Sequence, residues 1–113
     1  MSVATYEDVK GLDPSTTLLI DVREPNELET TGSIPNSINI PLGQVEGVFQ
    51  NLTDEKFEAI YQREKPKLND DIVFSCKSGM RALKALKVAA DMGFSNLRYY
   101  KGSWTEWAEK THE

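Results

Sequence analysis

The stretch that decides the fold reads Ile72-Val73-Phe74-Ser75-Cys76-Lys77-Ser78-Gly79-Met80-Arg81. Its first three residues are β-branched or aromatic, a composition that predicts a buried strand. The next segment, residues 82–90, is apolar except for Lys84 and Lys87, which indicates an amphipathic helix with those two lysines on its solvated face. The single cysteine of the chain therefore lies in the connection between a strand and a helix.

The surroundings of Cys76 favour a reactive thiolate. A residue at the end of a parallel strand faces the free N–H groups and the positive dipole end of the helix that follows. Such surroundings stabilise a thiolate relative to a thiol. All 18 acidic residues lie outside residues 72–90, although the net charge is −5. A lone cysteine is more often a small buried apolar residue, but its position and basic neighbours indicate a nucleophile in an anion-binding loop.

Composition restricts the class of protein. A chain of 113 residues that is 39% hydrophobic and 27% charged predicts one soluble domain over residues 1–113. Its net negative charge argues against nucleic acid or an anionic membrane as a partner, and no apolar run approaches the ~20 residues of a membrane span. The first residues lack the pattern of a signal or transit peptide. One cysteine permits no internal disulfide, which favours a reducing compartment, and we expect a cytoplasmic protein.

Strands and helices alternate along the rest of the chain. The pattern predicts strands at residues 18–22, 38–40 and 97–100, and helices at residues 6–10, 25–30, 54–64 and after Ser103. Thr5, Thr53 and Ser103 are expected to cap the helices that they precede, and Asn36 is expected to tolerate a left-handed turn. Between Pro41 and Leu52 two glycines favour irregular structure, but an apolar stripe would also fit a helix. Trp104 and Trp107 form a stripe that is typical of core packing. This alternation indicates an α/β fold with a parallel sheet covered on both faces.

Asp21 ends a buried strand and is followed by Arg23. A buried carboxylate is costly unless it is paired, and ligands bind at the carboxyl ends of strands in open α/β sheets. Asp21 is therefore either a partner for a loop N–H or a cation, or a residue of the site. We favour the first role, in which Asp21 pairs with a loop N–H or a cation that is itself part of the site.

No general base accompanies Cys76. The only histidine, His112, lies one residue from the end of the chain, where we expect a frayed tail. A cysteine–histidine protease is therefore disfavoured, as is a metal site, because histidine and cysteine do not cluster. Activation is expected from loop N–H groups, Lys77, Arg81 and the helix dipole. Such a loop suits transfer of a sulfur, phosphoryl or arsenate-like group onto cysteine.

The length of the loop between Cys76 and Arg81 distinguishes these reactions, and it is also a feature by which protein families can be compared. Four residues separate Cys76 from Arg81, one fewer than in cysteine-based phosphatases, and this loop resembles that of the rhodanese sulfurtransferases. The similarity covers nearly the whole chain, in residues 21–27 and 32–41, residues 76–82, and residues 100–104 with Trp107. It is greatest with eukaryotic single-domain thiosulfate sulfurtransferases. The chain departs from the family's usual residues at Ser33, Asn36 and Lys101, where histidine, glycine and glycine are common; we expect Lys101 to lie in solvent.

The resemblance implies a single rhodanese-like domain, with a five-stranded parallel sheet and helices on both faces. It also implies a sulfurtransferase that takes a sulfane sulfur from thiosulfate or a persulfide onto Cys76. Cyanide, or a thiol such as glutathione or thioredoxin, would then accept that sulfur. No cofactor and no metal is implied.

The expected site follows from the chemistry and the resemblance together. Cys76 is the catalytic nucleophile, and the substrate-binding residues are those of its loop, namely Lys77, Ser78, Gly79, Met80 and Arg81. Asp21 and Arg23 are expected to support the pocket. For Arg81 two roles stay open: binding the sulfonate of a donor, or bracing the loop through a salt bridge to Asp21 or a glutamate.

Two other functions remain as alternatives. One is a sulfur-relay module that passes a persulfide between proteins without useful turnover of free donors. The other is a cysteine-based phosphatase or arsenate reductase, which the loop length disfavours.

Overall fold

The structure is a computed structural model, and it describes residues 2–111. Five strands form one sheet: β1 Val3–Ala4, β2 Thr17–Asp21, β3 Ile38–Asn39, β4 Asp71–Ser75 and β5 Leu97–Tyr100. Their order across the sheet is β1-β5-β4-β2-β3, and every neighbouring pair is parallel. The predicted five-stranded parallel sheet is confirmed, and β4, which leads into Cys76, is its central strand.

Helices cover both faces of the sheet. They are α1 Tyr6–Lys10, α2 Pro25–Thr31, α3 Val45–Asn51, α4 Asp54–Tyr61, α5 Met80–Asp91 and α6 Ser103–Thr111, with a 3₁₀ turn at Leu42–Gln44. One apolar cluster joins the sheet to α3, α4 and α5, and a second joins it to α1 and α6. Because residues of a strand alternate between faces, Phe74 enters the first cluster and Val73 the second.

Local sequence signals account for most helix ends. The Thr5 side chain accepts from the Asp8 amide while the Asp8 carboxylate accepts from the Thr5 amide, a complete capping box. Thr53 caps α4 in the predicted manner, by accepting from the amide of Lys56. No helix in residues 2–111 is long and apolar enough to cross a membrane.

Three elements differ from the sequence expectations. The segment after Pro41, which the pattern left open, is helical in both the 3₁₀ turn and α3. The helix expected to reach residue 64 ends at Tyr61, because Gln62 adopts a left-handed conformation with φ +61°. The strand β1 was not predicted from the pattern. The expected frayed tail with His112 lies outside the described residues.

Candidate active site

Cys76 lies at the carboxyl end of β4, beneath the start of α5. Its side chain is buried, with 1% exposure. The Sγ atom accepts a hydrogen bond from the Gly79 amide at 3.0 Å, and Gly79 is the residue that caps α5. The sulfur therefore meets an N–H group at a helix start, as the sequence predicts for an activated cysteine.

Gly79 allows the loop to approach the connection between β5 and α6. Its φ is +101°, and a Cβ atom built there would lie 2.5 Å from the carbonyl oxygen of Lys101. That oxygen belongs to the backbone and cannot rotate away. Only glycine fits this position without a local rearrangement.

The first turn of α6 holds the other side of the loop. The amide of Trp104 donates to the Cys76 carbonyl at 2.9 Å, and the amide of Thr105 donates to the Lys77 carbonyl at 3.0 Å. The Thr105 hydroxyl donates to the same Lys77 carbonyl at 2.9 Å. Amides at the start of a helix lack partners within the helix, so the carbonyls of Cys76 and Lys77 supply the acceptors that α6 needs.

Ser103 contacts both the backbone and the side chain of Cys76. This fully buried residue has φ +51°, and its Oγ accepts from the Cys76 amide at 3.0 Å. The same Oγ donates to the Tyr100 carbonyl at 2.6 Å and lies 3.8 Å from the Cys76 Sγ. The sequence suggested only a helix cap here; no local signal links Ser103 to a cysteine 27 residues earlier.

Asp21 and Arg23 form a buried ion pair, each with 1% exposure. The guanidinium donates from NH2 to Oδ2 of Asp21 at 2.8 Å and from Nε to both carboxylate oxygens. It also donates to the Thr31 hydroxyl and the Gly32 carbonyl, at the end of α2. These contacts satisfy the desolvated charges, and they tie the end of β2 to α2.

Arg81 is engaged by a residue of α2. Its guanidinium donates to both Glu27 carboxylate oxygens, at 2.7 and 3.0 Å. The Arg81 hydrogen bond, together with a second from the Glu24 amide, lowers the pKa of the Glu27 carboxyl to about 2. Glu27 in turn raises the pKa of Arg81. Of the possible acidic partners, the structure thus pairs Arg81 with a glutamate and leaves Asp21 with Arg23. The basic character of the loop is correspondingly reduced.

A cleft of about 250 Å³ opens beside the loop. It is lined by Arg23, Asn26, Glu27, Thr30, Thr31, Lys77 and Trp104. Trp104 is therefore only half-buried: its ring packs on the second apolar cluster, and the Arg23 guanidinium carbon lies 5.1 Å from its centroid. The expectation of a purely core role for Trp104 missed this lining position, because periodicity does not distinguish a core stripe from the wall of a cleft.

The remaining predicted residues lie on the surface. Lys77 and Ser78 are exposed, and the Met80 side chain at the loop rim is 68% exposed. Lys101 is exposed, as are Lys84 and Lys87 on α5. Within residues 2–111, no group of three His, Cys, Asp or Glu side chains could hold a metal ion.

Comparisons with known proteins place this geometry in a family. The sequence model of the rhodanese-like domain matches residues 5–110. The chain belongs to the rhodanese family. Among its relatives, a Drosophila melanogaster rhodanese domain-containing protein, CG4456, is 48% identical over 109 residues, which are 96% of this chain and 97% of that one. Human thiosulfate:glutathione sulfurtransferase is 41% identical over 93 residues, covering 81% of this chain and 79% of the human one.

Structural similarity points the same way. The structure of the human single-domain sulfurtransferase TSTD1 matches this rhodanese fold with a TM-score of 0.87 and 36% sequence identity. The match covers 97% of each chain. At this coverage, the structural similarity extends over nearly the whole chain.

Proposed function

We propose that this rhodanese is a thiosulfate sulfurtransferase that carries sulfur as a persulfide on Cys76. The observation that carries the proposal is the placement of the Cys76 sulfur against the Gly79 amide at the start of α5, in a loop of rhodanese length. The sulfur is buried and hydrogen-bonded, and residues 2–111 contain no histidine to act as its base, which suits a nucleophile activated by backbone N–H groups.

Sulfur transfer takes place in two displacements. In the first, the Cys76 thiolate attacks the outer sulfur of thiosulfate; the sulfur–sulfur bond of the donor breaks, and sulfite leaves with the electron pair. In the second, an acceptor thiolate attacks the outer sulfur of the persulfide, and the electron pair of that bond returns to the Cys76 Sγ. Neither step needs a metal, a cofactor or an external oxidant.

The loop residues divide the work of binding. The Lys77 ammonium is exposed beside the cleft and is free to meet the sulfonate of a donor. The backbone from Lys77 to Arg81, including Ser78 and Gly79, would surround the transferred sulfur, with Met80 at the rim. We assign Arg81 to bracing, because both of its charge-assisted contacts go to Glu27.

Asp21 and Arg23 are assigned to pocket support. Their mutual hydrogen bonds leave the pair buried and neutral overall, so it offers little net charge to a substrate. The pair holds the wall of the cleft through Thr31 and Gly32, and Arg23 also contacts the face of Trp104. Loss of either partner would leave an unpaired buried charge.

For the acceptor we propose a small thiol, glutathione being the first to test. A relative is named for that acceptor, and the cleft has room for part of such a molecule. Thioredoxin and cyanide are the other acceptors to compare. Nucleic acid and membranes are not proposed as partners of a chain with net charge −5.

For location we propose the cytosol, a reducing compartment that keeps the thiol available; the mitochondrial matrix would also meet this requirement. Residues 1–113 are proposed to act as one domain. Cell fractionation with an antibody to the native protein decides between the two compartments.

The decisive experiment is intact mass after incubation with thiosulfate. Wild-type protein should gain the mass of one sulfur atom, and prior alkylation should prevent the gain. Cys76→Ser keeps a near-isosteric side chain and should fold normally, yet it should gain no sulfur and show no turnover. Sulfur transfer by this variant would show that the nucleophile is elsewhere. Sulfur loading without turnover of free thiosulfate would instead favour the relay module.

A further inference from the structure

Ser103, at the start of α6, contacts the sulfur of Cys76. Its Oγ lies 3.8 Å from the Cys76 Sγ, and both residues are buried. We propose that the Ser103 hydroxyl is a second hydrogen-bond donor to the Cys76 thiolate, and thus a further catalytic residue of sulfur transfer. The inference about its part in turnover rests on the proposed function, whereas the contact with the thiolate does not.

The hydroxyl has one proton and two acceptors within reach. Its oxygen already accepts from the Cys76 amide at 3.0 Å, which fixes the position of Oγ beside the cysteine. The proton can then point to the Tyr100 carbonyl at 2.6 Å or to the sulfur. A neutral thiol is a weak acceptor, so the carbonyl takes the proton in that state. A thiolate is charged and attracts donors more strongly, which turns the hydroxyl toward Sγ.

The backbone of Ser103 supports a functional role. A φ of +51° is uncommon for a residue other than glycine, and a left-handed conformation is unfavourable for an L-residue because its Cβ crowds the carbonyl oxygen that follows. Glycine would avoid this cost but would remove the hydroxyl. Conformational strain of this kind is concentrated at functional sites, and here the strained residue contacts the nucleophile.

The proposed donor acts where charge develops on the sulfur. When an acceptor takes the outer sulfur, the electron pair of the broken bond returns to Sγ, which becomes a thiolate. Two groups then meet that charge: the Gly79 amide from the loop and the Ser103 hydroxyl from α6. Stabilising the leaving thiolate should speed discharge of the persulfide more than its formation, because in formation the same thiolate is the attacking group.

The test compares thiol alkylation across pH in wild-type protein, Ser103→Ala and Ser103→Gly. Loss of the hydroxyl should move the midpoint of the alkylation profile to higher pH by roughly 0.5–1 unit, the equivalent of one modest hydrogen bond. Ser103→Gly fits the positive φ, so it removes the hydroxyl without adding backbone strain. The charged groups around the sulfur, namely Lys77, the Arg81–Glu27 pair and the Asp21–Arg23 pair, are unchanged in all variants.

Thr105→Ala is the matched control. Thr105 also bonds the loop through its hydroxyl, but to the Lys77 carbonyl and not to the sulfur. It should leave the midpoint unmoved even if it loosens the loop. A midpoint that stays at the wild-type value in both Ser103 variants would overturn the proposal, as would an equal shift in Thr105→Ala, which would indicate loop bracing alone.

A second measurement separates catalysis from structure. The rates of persulfide loading by thiosulfate and of discharge to glutathione are measured separately, at a pH where the Cys76 thiol of each variant is fully ionised. Discharge should slow by about three- to tenfold in Ser103→Ala, the effect of one such bond, while loading changes less. Equal slowing of both steps would refute a donor to the leaving thiolate. Because alkylation needs no sulfur donor, a protein that shows the expected shift but never loads sulfur would refute the proposed function and not the contact.

Discussion

Gly79→Ala should be strongly destabilising, and the structure separates two reasons. The first is conformational: Gly79 has φ +101°, and a positive φ costs an L-residue about 1–2 kcal/mol. The second is steric, because the new methyl group would lie 2.5 Å from the Lys101 carbonyl oxygen. Relieving such an overlap by backbone shifts typically costs about 1–3 kcal/mol. The expected loss in free energy of unfolding is therefore about 2–5 kcal/mol.

Two other glycines serve as matched controls. Gly93 has the same φ of +101°, but its added Cβ would meet only the Leu68 methyl groups, at an ordinary 3.8 Å. Gly93→Ala should therefore cost only the conformational part, about 1–2 kcal/mol. Gly43 has no atom within 4 Å of an added Cβ and no positive φ. Gly43→Ala should be neutral or stabilising by up to about 1 kcal/mol, because it restricts the unfolded chain.

The assay is equilibrium unfolding in urea, with thiosulfate turnover measured on the folded fraction. The difference between Gly79→Ala and Gly93→Ala estimates the steric cost of the Lys101 contact. The Gly79 variant that still folds should also lose about tenfold or more in turnover, because its amide is displaced from the sulfur. Equal destabilisation in the two variants would refute the close approach of the loop to Lys101. Wild-type turnover in Gly79→Ala would refute the role of its amide.

Lys77→Ala should raise KM for thiosulfate about ten- to hundredfold, because one charge-assisted contact with the donor is lost. Arg81→Ala should mainly lower the urea concentration at the midpoint of unfolding. An equal rise of KM in both variants would show that Arg81 also binds the substrate. Glu27→Gln should cost about 1 kcal/mol at neutral pH, since both partners of its ion pair are about one-third exposed. Pairing lowers the pKa of Glu27 from an ordinary 4.5 to about 2. The difference in free energy of unfolding between wild type and Glu27→Gln should therefore be constant above pH 4.5 and disappear as pH falls through 2. Urea unfolding at several pH values measures this difference, and its disappearance already near pH 4.5 would contradict the pairing. One glycine inserted after Gly79 should reduce sulfur transfer, because it widens the loop between Cys76 and Arg81. Wild-type protein should not hydrolyse an aryl phosphate, and phosphatase activity in wild type would contradict the argument from loop length.

Features set by neighbouring residues could be predicted from the sequence. The apolar run of β4 and the caps at Thr5 and Thr53 depend on residues within one turn of each other, and the structure has them as expected. Asn36 was expected to tolerate a left-handed turn, and its φ is +68°. The position of Cys76 between a strand and a helix follows from the same local signals.

Features that depend on residues far apart in the sequence could not be predicted in this way. The edge strand β1 has only two residues, too few for a period, and it exists because Val3 pairs with Tyr99. The end of α4 at Tyr61 carries no glycine or proline signal. The partner of Arg81 lies 54 residues away on α2, so the excess of basic residues around Cys76 overstated the positive charge of the site.

The same distance effect explains how two of the sequence motifs act together. The loop around Cys76 and the motif at residues 100–104 look independent in sequence, yet in the structure hydrogen bonds connect the two segments. The amides of Trp104 and Thr105 bond the carbonyls of Cys76 and Lys77, and Ser103 bonds the Cys76 amide. A change in the backbone path of either segment would break these hydrogen bonds and leave the buried polar groups of Cys76 and Ser103 unpaired. Substitution of Ser103 at the start of α6 should therefore alter the chemistry of the sulfur, even though α6 itself does not carry the cysteine.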